Sequence, residues 1–194
     1  MVDSTRDKAI SSPLLETKLF IPRPRAGLVA RVRLIERLNQ ASAGKLTLVS
    51  APAGFGKTTL LAEWLATAEA GKQPAAWLAL DQSDNDPALF WSYVIAALQT
   101  RQRDLGLSTL ALLQSLQPLP VETLLAKLLN EVGALAQRIV LVLDDYHLIT
   151  AKPVHQGIAF VLDHLPPQLH LVIAGRADPP LPLSRLRARG KVAY

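Results

Sequence analysis

Between Leu46 and Thr59 the chain reads Leu-Thr-Leu-Val-Ser-Ala-Pro-Ala-Gly-Phe-Gly-Lys-Thr-Thr, a short apolar run followed by a loop of small residues, a lysine and two hydroxyls. This order suits the binding of a polyphosphate. A loop of small residues lets backbone N–H groups approach several anionic oxygens, which bulkier side chains would block. Lys57 brings a mobile positive charge to the β- and γ-phosphates of a nucleoside triphosphate, and the Thr58 hydroxyl is placed to ligate Mg2+. Ala53, Gly54, Phe55, Gly56, Lys57, Thr58 and Thr59 are therefore the candidate residues for holding ATP or ADP. The usual spacing is G-x-x-x-x-G-K-[ST]. Here Ala51 stands at the first position, and it is small enough to keep the turn.

A phosphate loop holds a nucleotide but does little to organise a metal ion or an attacking water, so an acid at the end of a second apolar strand is needed. Ile139-Val-Leu-Val-Leu-Asp144-Asp145 supplies it. Asp144 is the candidate Mg2+ partner beside Thr58. Asp145 either polarises the water that attacks the γ-phosphate, as a general base, or caps a helix or makes a surface hydrogen bond. Ile173-Ala-Gly-Arg176 ends another apolar run and delivers an arginine to the same edge. There it either senses the γ-phosphate and stabilises transferred charge, together with Lys57, or forms a structural ion pair.

Other chemistry finds little support. There is no cysteine, which excludes disulfides, thiolate nucleophiles and cysteine-based zinc sites. His147, His155, His164 and His170 have no metal-binding spacing and read as surface or packing residues. No G-x-S-x-G elbow is present. Asp81, Asp84 and Asp86 do not match a calcium loop, although Asp81 ends a strand and could face the nucleotide edge.

The elements that must position these residues alternate along the chain. Strands are expected at 46–50, 75–80, 139–143 and 169–174. Helices are expected after Lys57, with Leu60, Leu61, Trp64, Leu65 and Ala68 on one face, and after Asp86-Pro87, a capping residue followed by a first-turn proline. Further helices are expected over 105–116, across the leucine stripe from Leu124 to Leu135, and over 154–164. This order implies an α/β fold: a P-loop NTPase with a parallel sheet and helices on both faces, its last strand missing or cut short near Tyr194.

With 194 residues, 49% of them hydrophobic and 19% charged, the chain has material for one domain with a sizeable core. Residues 1–13 read as a disordered lead-in and 14–194 as the nucleotide-binding domain. No apolar run approaches the roughly 18 residues of a membrane span, and no secretory leader is evident, so a cytoplasmic setting is expected. The net charge of +5 gathers at two places, Arg23 to Arg37 and Arg176 to Lys191. Such clusters fit nucleic acid, a triphosphate, acidic neighbours or a solvated face.

Taken together, Leu15-Glu-Thr-Lys-Leu-Phe-Ile-Pro-Arg-Pro-Arg25, Leu28-Val-Ala-Arg31, the phosphate loop, Leu143-Asp-Asp-Tyr-His-Leu148 and Ala174-Gly-Arg-Ala-Asp-Pro179 resemble the large ATP-binding LuxR-type transcription regulators. The resemblance implies a signal-transduction ATPase module that rests with ADP and self-associates with ATP and an inducer. It implies that Leu28 to Arg31 border the adenine, with Arg31 near the phosphates or ribose. It also implies that DNA is bound by a C-terminal helix-turn-helix outside these 194 residues, so no specific DNA binding is expected of this segment, and hydrolysis is expected to be slow at best. Two other readings are a small-molecule P-loop phosphotransferase, which needs an arginine-bearing lid, and a non-catalytic interaction module.

Overall fold

The computed structural model describes residues 14–23, 31–67, 73–115, 119–188 and 192–193. The lead-in expected at 1–13, Leu28 to Ala30 and Ala68 lie outside them. Five parallel strands form one sheet in the order β2-β3-β4-β1-β5, where β1 is Leu46–Ser50, β2 Ala75–Ala79, β3 Ile139–Asp144, β4 Leu169–Gly175 and β5 Val192–Ala193. β5 pairs only with Leu46 and Thr47, so a short fifth strand is present at the β1 edge.

Both faces of the sheet are covered, which is why its strands read as nearly unbroken apolar runs. Alternate residues face opposite ways. Ile139, Leu141 and Leu143 of β3 join one core with Leu169, Leu171 and Ile173 of β4, while Val140, Val142, Val172 and Ala174 join the other. The first core is roofed by α3 (Pro87–Gln99), α5 (Val121–Gly133) and α6 (Lys152–His164), with the short α4 (Leu107–Leu113) beside α5. The second is roofed by α1 (Val32–Ala41) and α2 (Lys57–Ala66). A last helix, α7, spans Leu183–Ala188.

Element boundaries depart from the sequence reading where backbone chemistry intervenes. The leucine-rich stretch expected to be helical from Leu105 begins its helix only at Leu107, because Gly106 adopts a left-handed conformation (φ 72°). A Cβ there would lie 2.8 Å from Ile95 Cγ2, and the Glu131 carboxylate takes the Gly106 N–H at 2.7 Å. α6 starts at Lys152 rather than Val154, since Pro153 is tolerated in a first turn. At α3 the expectation holds: Asp86 accepts the Leu89 N–H at 2.8 Å and Pro87 follows as the first helical residue.

The segment before the first helix packs against β2, at the sheet edge, through a buried ion pair that the sequence did not announce. Lys18 donates to both Asp84 carboxylate oxygens at 2.6 Å and to Asp81 at 3.0 Å, and its ammonium lies 4.3 Å from the centre of the Tyr93 ring. Asp81 and Asp84 also cap one another's short 3-10 turn. Asp81, the acid that could have faced a nucleotide, is thus engaged by a lysine. Removing one partner of a buried pair costs about 3–5 kcal/mol because the other charge stays uncompensated. Lys18→Met is expected to lose stability on that scale in urea denaturation, and a second change of Asp84→Leu is expected to restore a large part of it.

At the opposite end of the sheet from the phosphate loop, His170 of β4 fastens the turn that leads into β1. Its Nδ1–H donates to the Gly44 carbonyl at 2.9 Å, so Nε2 accepts the Thr47 hydroxyl at 3.1 Å, and Arg138 donates to the Ser42 and Gly44 carbonyls. Burial, aided by the Arg138 charge and opposed by the Gly44 hydrogen bond, pushes His170 down to about 4 from 6.5. The unfolded chain therefore takes up a proton below pH 6.5 that the folded chain refuses until about pH 4. Stability from this group is complete above pH 6.5 and is lost as the pH falls to 4, by about 3 kcal/mol. Urea midpoints measured across that window are expected to fall more gently for His170→Gln than for the native chain.

Candidate functional site

The phosphate loop leaves β1 at Ser50 and enters α2 at Lys57. Two left-handed glycines make the turn possible, Gly54 at φ 81° and Gly56 at φ 74°. The loop is anchored at its first residue, where the Ala51 N–H donates to the Gly175 carbonyl at the end of β4 at 3.2 Å. It is anchored again near its end, where Arg31, from the start of α1, donates from Nη1 to the Phe55 carbonyl at 2.9 Å. Ala53, Gly54 and Phe55 are exposed, while Gly56, Thr58 and Thr59 are half-buried.

Lys57 is buried, and its ammonium folds back over its own loop, donating to the carbonyls of Ala51 at 2.7 Å and Pro52 at 3.1 Å. Beside it the Thr58 hydroxyl donates to Asp144 Oδ2 at 2.6 Å, and the other Asp144 oxygen accepts the Asp145 N–H at 3.0 Å. Asp144 is only 3% exposed. Burial raises its carboxyl above the ordinary carboxylate range, with the Asp145 charge adding to the rise, while the bonds from Thr58 and Asp145 and the Lys57 charge oppose it. Extra positive charge near this pair would therefore favour the carboxylate form.

Asp145 holds φ 56°, the single positive φ outside glycine among the described residues. It stands at the N-terminus of the Tyr146–Leu148 turn but makes no capping hydrogen bond to it, and its half-exposed carboxylate lies 3.7 Å from His147 Nδ1. Arg176 follows Gly175 at the same sheet edge with an exposed side chain. The structure thus gathers Arg31, Lys57, Thr58 and Asp144 around the loop, with Asp145 and Arg176 at the ends of the two neighbouring strands. In the basic C-terminal cluster, Arg185 is bound by the Asp163 carboxylate.

A cavity of about 380 Å³ opens beside the loop, lined by Arg31, Leu34, Leu38, Leu48, Phe55 and Lys57 among others. Its apolar wall comes from α1, whose Leu34 and Leu38 stand one helical turn apart. In the sequence this stretch stands out for its arginines. The signal was present as the i, i+4 spacing of leucines. His147, read from the sequence as a surface or packing residue, stands beside Asp145 with its side chain 16% exposed.

A parallel sheet with the loop after β1 and an acid ending β3 defines a P-loop NTPase, and residues 39–176 match the AAA domain family, to which the chain belongs. Its fold is shared with the crystal structure of Cdc6p from Pyrobaculum aerophilum, at a TM-score of 0.55 and 18% identity over 90% of this chain and 46% of that one. In sequence it is similar to the HTH-type transcriptional regulator MalT of Serratia proteamaculans, 41% identical over 92% of this chain and 19% of that protein. MalT of Cronobacter sakazakii is 39% identical over 91% of this chain and again 19% of its own length. The chain thus spans about a fifth of the curated relatives it matches, and these relatives bear out the resemblance drawn from the motifs. No described helix is long and apolar enough to cross a membrane.

Two features of the structure favour glycine at position 56. A side chain there meets the Arg31 guanidinium, with Nη2 only 3.1 Å from an added Cβ, and the left-handed backbone costs an L-residue about 1–2 kcal/mol. Gly56→Ala is expected to lower stability by about that amount in chemical denaturation.

Proposed function

We propose that this domain is the ATP- and ADP-binding switch of a LuxR-type transcription regulator, spanning residues 14–194 and acting in the cytoplasm. The observation that carries the reading is the Thr58–Asp144 hydrogen bond beside Lys57, since it brings a hydroxyl, a carboxylate and an ammonium to one point on the phosphate loop. Backbone N–H groups from Ala53 to Thr59 would hold the phosphates, with Lys57 leaving its loop carbonyls for phosphate oxygens. The neighbouring cavity, apolar on the α1 side and flanked by Arg31, suits a purine and its ribose.

Thr58 and Asp144 offer the hard oxygen donors that Mg2+ prefers, and such a site leaves the remaining positions to water and phosphate. Bound there, Mg2+ would neutralise phosphate charge. The protein's own part is to supply these two ligands, to place Arg176 near the terminal phosphate, and to set Asp145 as the acceptor of a water proton. Hydrolysis is slow, because the complete site draws on neighbouring domains or subunits. ATP favours self-association and ADP the resting form, and specific DNA reading belongs to another segment. The connection between β3 and β4 is taken up by the Tyr146–Leu148 turn and α6, both packed on the sheet, so it offers no lid of the kind a phosphotransferase needs.

Calorimetric titration tests the assignment. Lys57→Ala is expected to weaken ATP and ADP binding about tenfold or more, as loss of a charged hydrogen-bond partner of about 1.5–3 kcal/mol requires. Unchanged affinity would remove the site. Asp144→Asn is expected to keep metal-free binding and to lose most of the strengthening that Mg2+ brings.

A further inference from the structure

His147 has a position that packing alone does not explain. Both of its ring nitrogens are closed off from solvent, and neither has a hydrogen-bond partner. A buried polar atom without a partner calls for an explanation, whether strain, a catalytic part or a bridging water, and what sets His147 apart from the other such groups of this chain is its place beside Asp145. The ring lines a cavity of about 140 Å³ at the C-terminal edge of the sheet, shared with Ser50, Tyr146, Gly175 and Asp178. Its backbone rests against Gly175, the residue whose carbonyl anchors Ala51 of the phosphate loop. Across a turn of two residues, Nδ1 stands 3.7 Å from the Asp145 carboxylate, within ion-pair range and just too far for a hydrogen bond.

Asp145 is the residue in need of a guide. Its backbone is left-handed, no capping bond ties its carboxylate to the turn it precedes, and that carboxylate is half-exposed. A carboxylate free to rotate is a poor proton acceptor, because a general base must meet its water at hydrogen-bond distance. A shift of about half an ångström would turn the 3.7 Å approach into a hydrogen bond. The donor would be His147 Nδ1–H.

We propose that His147 is a positioning residue for Asp145, fixing its carboxylate as the base for water attack on the γ-phosphate of ATP. This deepens the proposed nucleotide site and rests on it. In the step itself the water oxygen forms a bond to the γ-phosphorus, the bond from that phosphorus to the β–γ bridging oxygen breaks with its electron pair leaving on ADP, and the water proton passes to Asp145. His147 neither gains nor loses a proton in the step. It orients the base.

The test is single-turnover ATP hydrolysis by the full chain with Mg2+, alongside ATP and ADP binding and thermal melting of each variant. His147→Leu is expected to slow hydrolysis about tenfold or more while both affinities stay within about twofold. His147→Asn, whose side-chain amide can place an N–H near the Nδ1 position, is expected to recover most of the rate. Asp145→Asn is expected to be slow, and the double variant with His147→Leu no slower, since one residue acts through the other. A native rate in His147→Leu overturns the proposal. So do additive losses in the double variant, failure of His147→Asn to rescue, or a lowered melting temperature that accounts for the slower rate. Nucleotide binding with no hydrolysis by the native chain overturns it too, while leaving the nucleotide site standing. Loss of binding in the native chain sinks both.

Discussion

The hydrogen bond from Thr58 to Asp144 joins residues carried by strands that are not neighbours. β1 leads to Thr58 and β3 ends at Asp144, and β4 lies between them in the sheet. A 2.6 Å contact across an intervening strand demands that β4 finish with little bulk, that the phosphate loop lean over its end, and that all three strands keep register. Gly175 meets the first demand, the Ala51–Gly175 bond meets the second, and the continuous parallel ladders meet the third. Two cores, one on each face, make that register hard to slip, because moving a strand by one residue would exchange every side chain between them.

What the sequence made legible follows from how local each signal is. The phosphate loop, Asp144 and the parallel sheet announce themselves through short patterns: small residues before a lysine, an acid ending an apolar run, strands alternating with helices. The cap at Asp86-Pro87 is equally local, and it forms as read. Pairings across the chain carry no such mark. Lys18 meets Asp84 over 66 residues, and nothing near either one says that a lysine in the first segment will be buried. The same holds for His170 and Gly44. Local reading also misjudged the start of α4, because a leucine-rich stretch conceals the one glycine whose left-handed backbone decides where the helix begins.

The buried ion pair and the fastened turn both lie away from the phosphate loop. Lys18 ties the segment that precedes α1 to the β2 edge, and α1 presents Arg31 to the loop. His170 and Arg138 hold the turn after α1 at the other end of β1. The loop is thus suspended from a strand secured at both ends. Its own chemistry can then be built from residues with little freedom of their own, such as buried Lys57 and Asp144, while exposed Arg176 and half-exposed Asp145 remain at the rim.

The folding of Lys57 onto the carbonyls of Ala51 and Pro52 has a consequence for selectivity. An ammonium in water must shed its hydration shell before it can bind an anion, but this one has already exchanged water for two protein oxygens. Capture is then a trade of acceptors. A ligand offering one weakly charged oxygen replaces two good partners with one and gains little, whereas a polyphosphate offers several oxygens at higher charge and wins the exchange. At the site proposed for a nucleotide, this exchange would rank anions by valency without any steric gate.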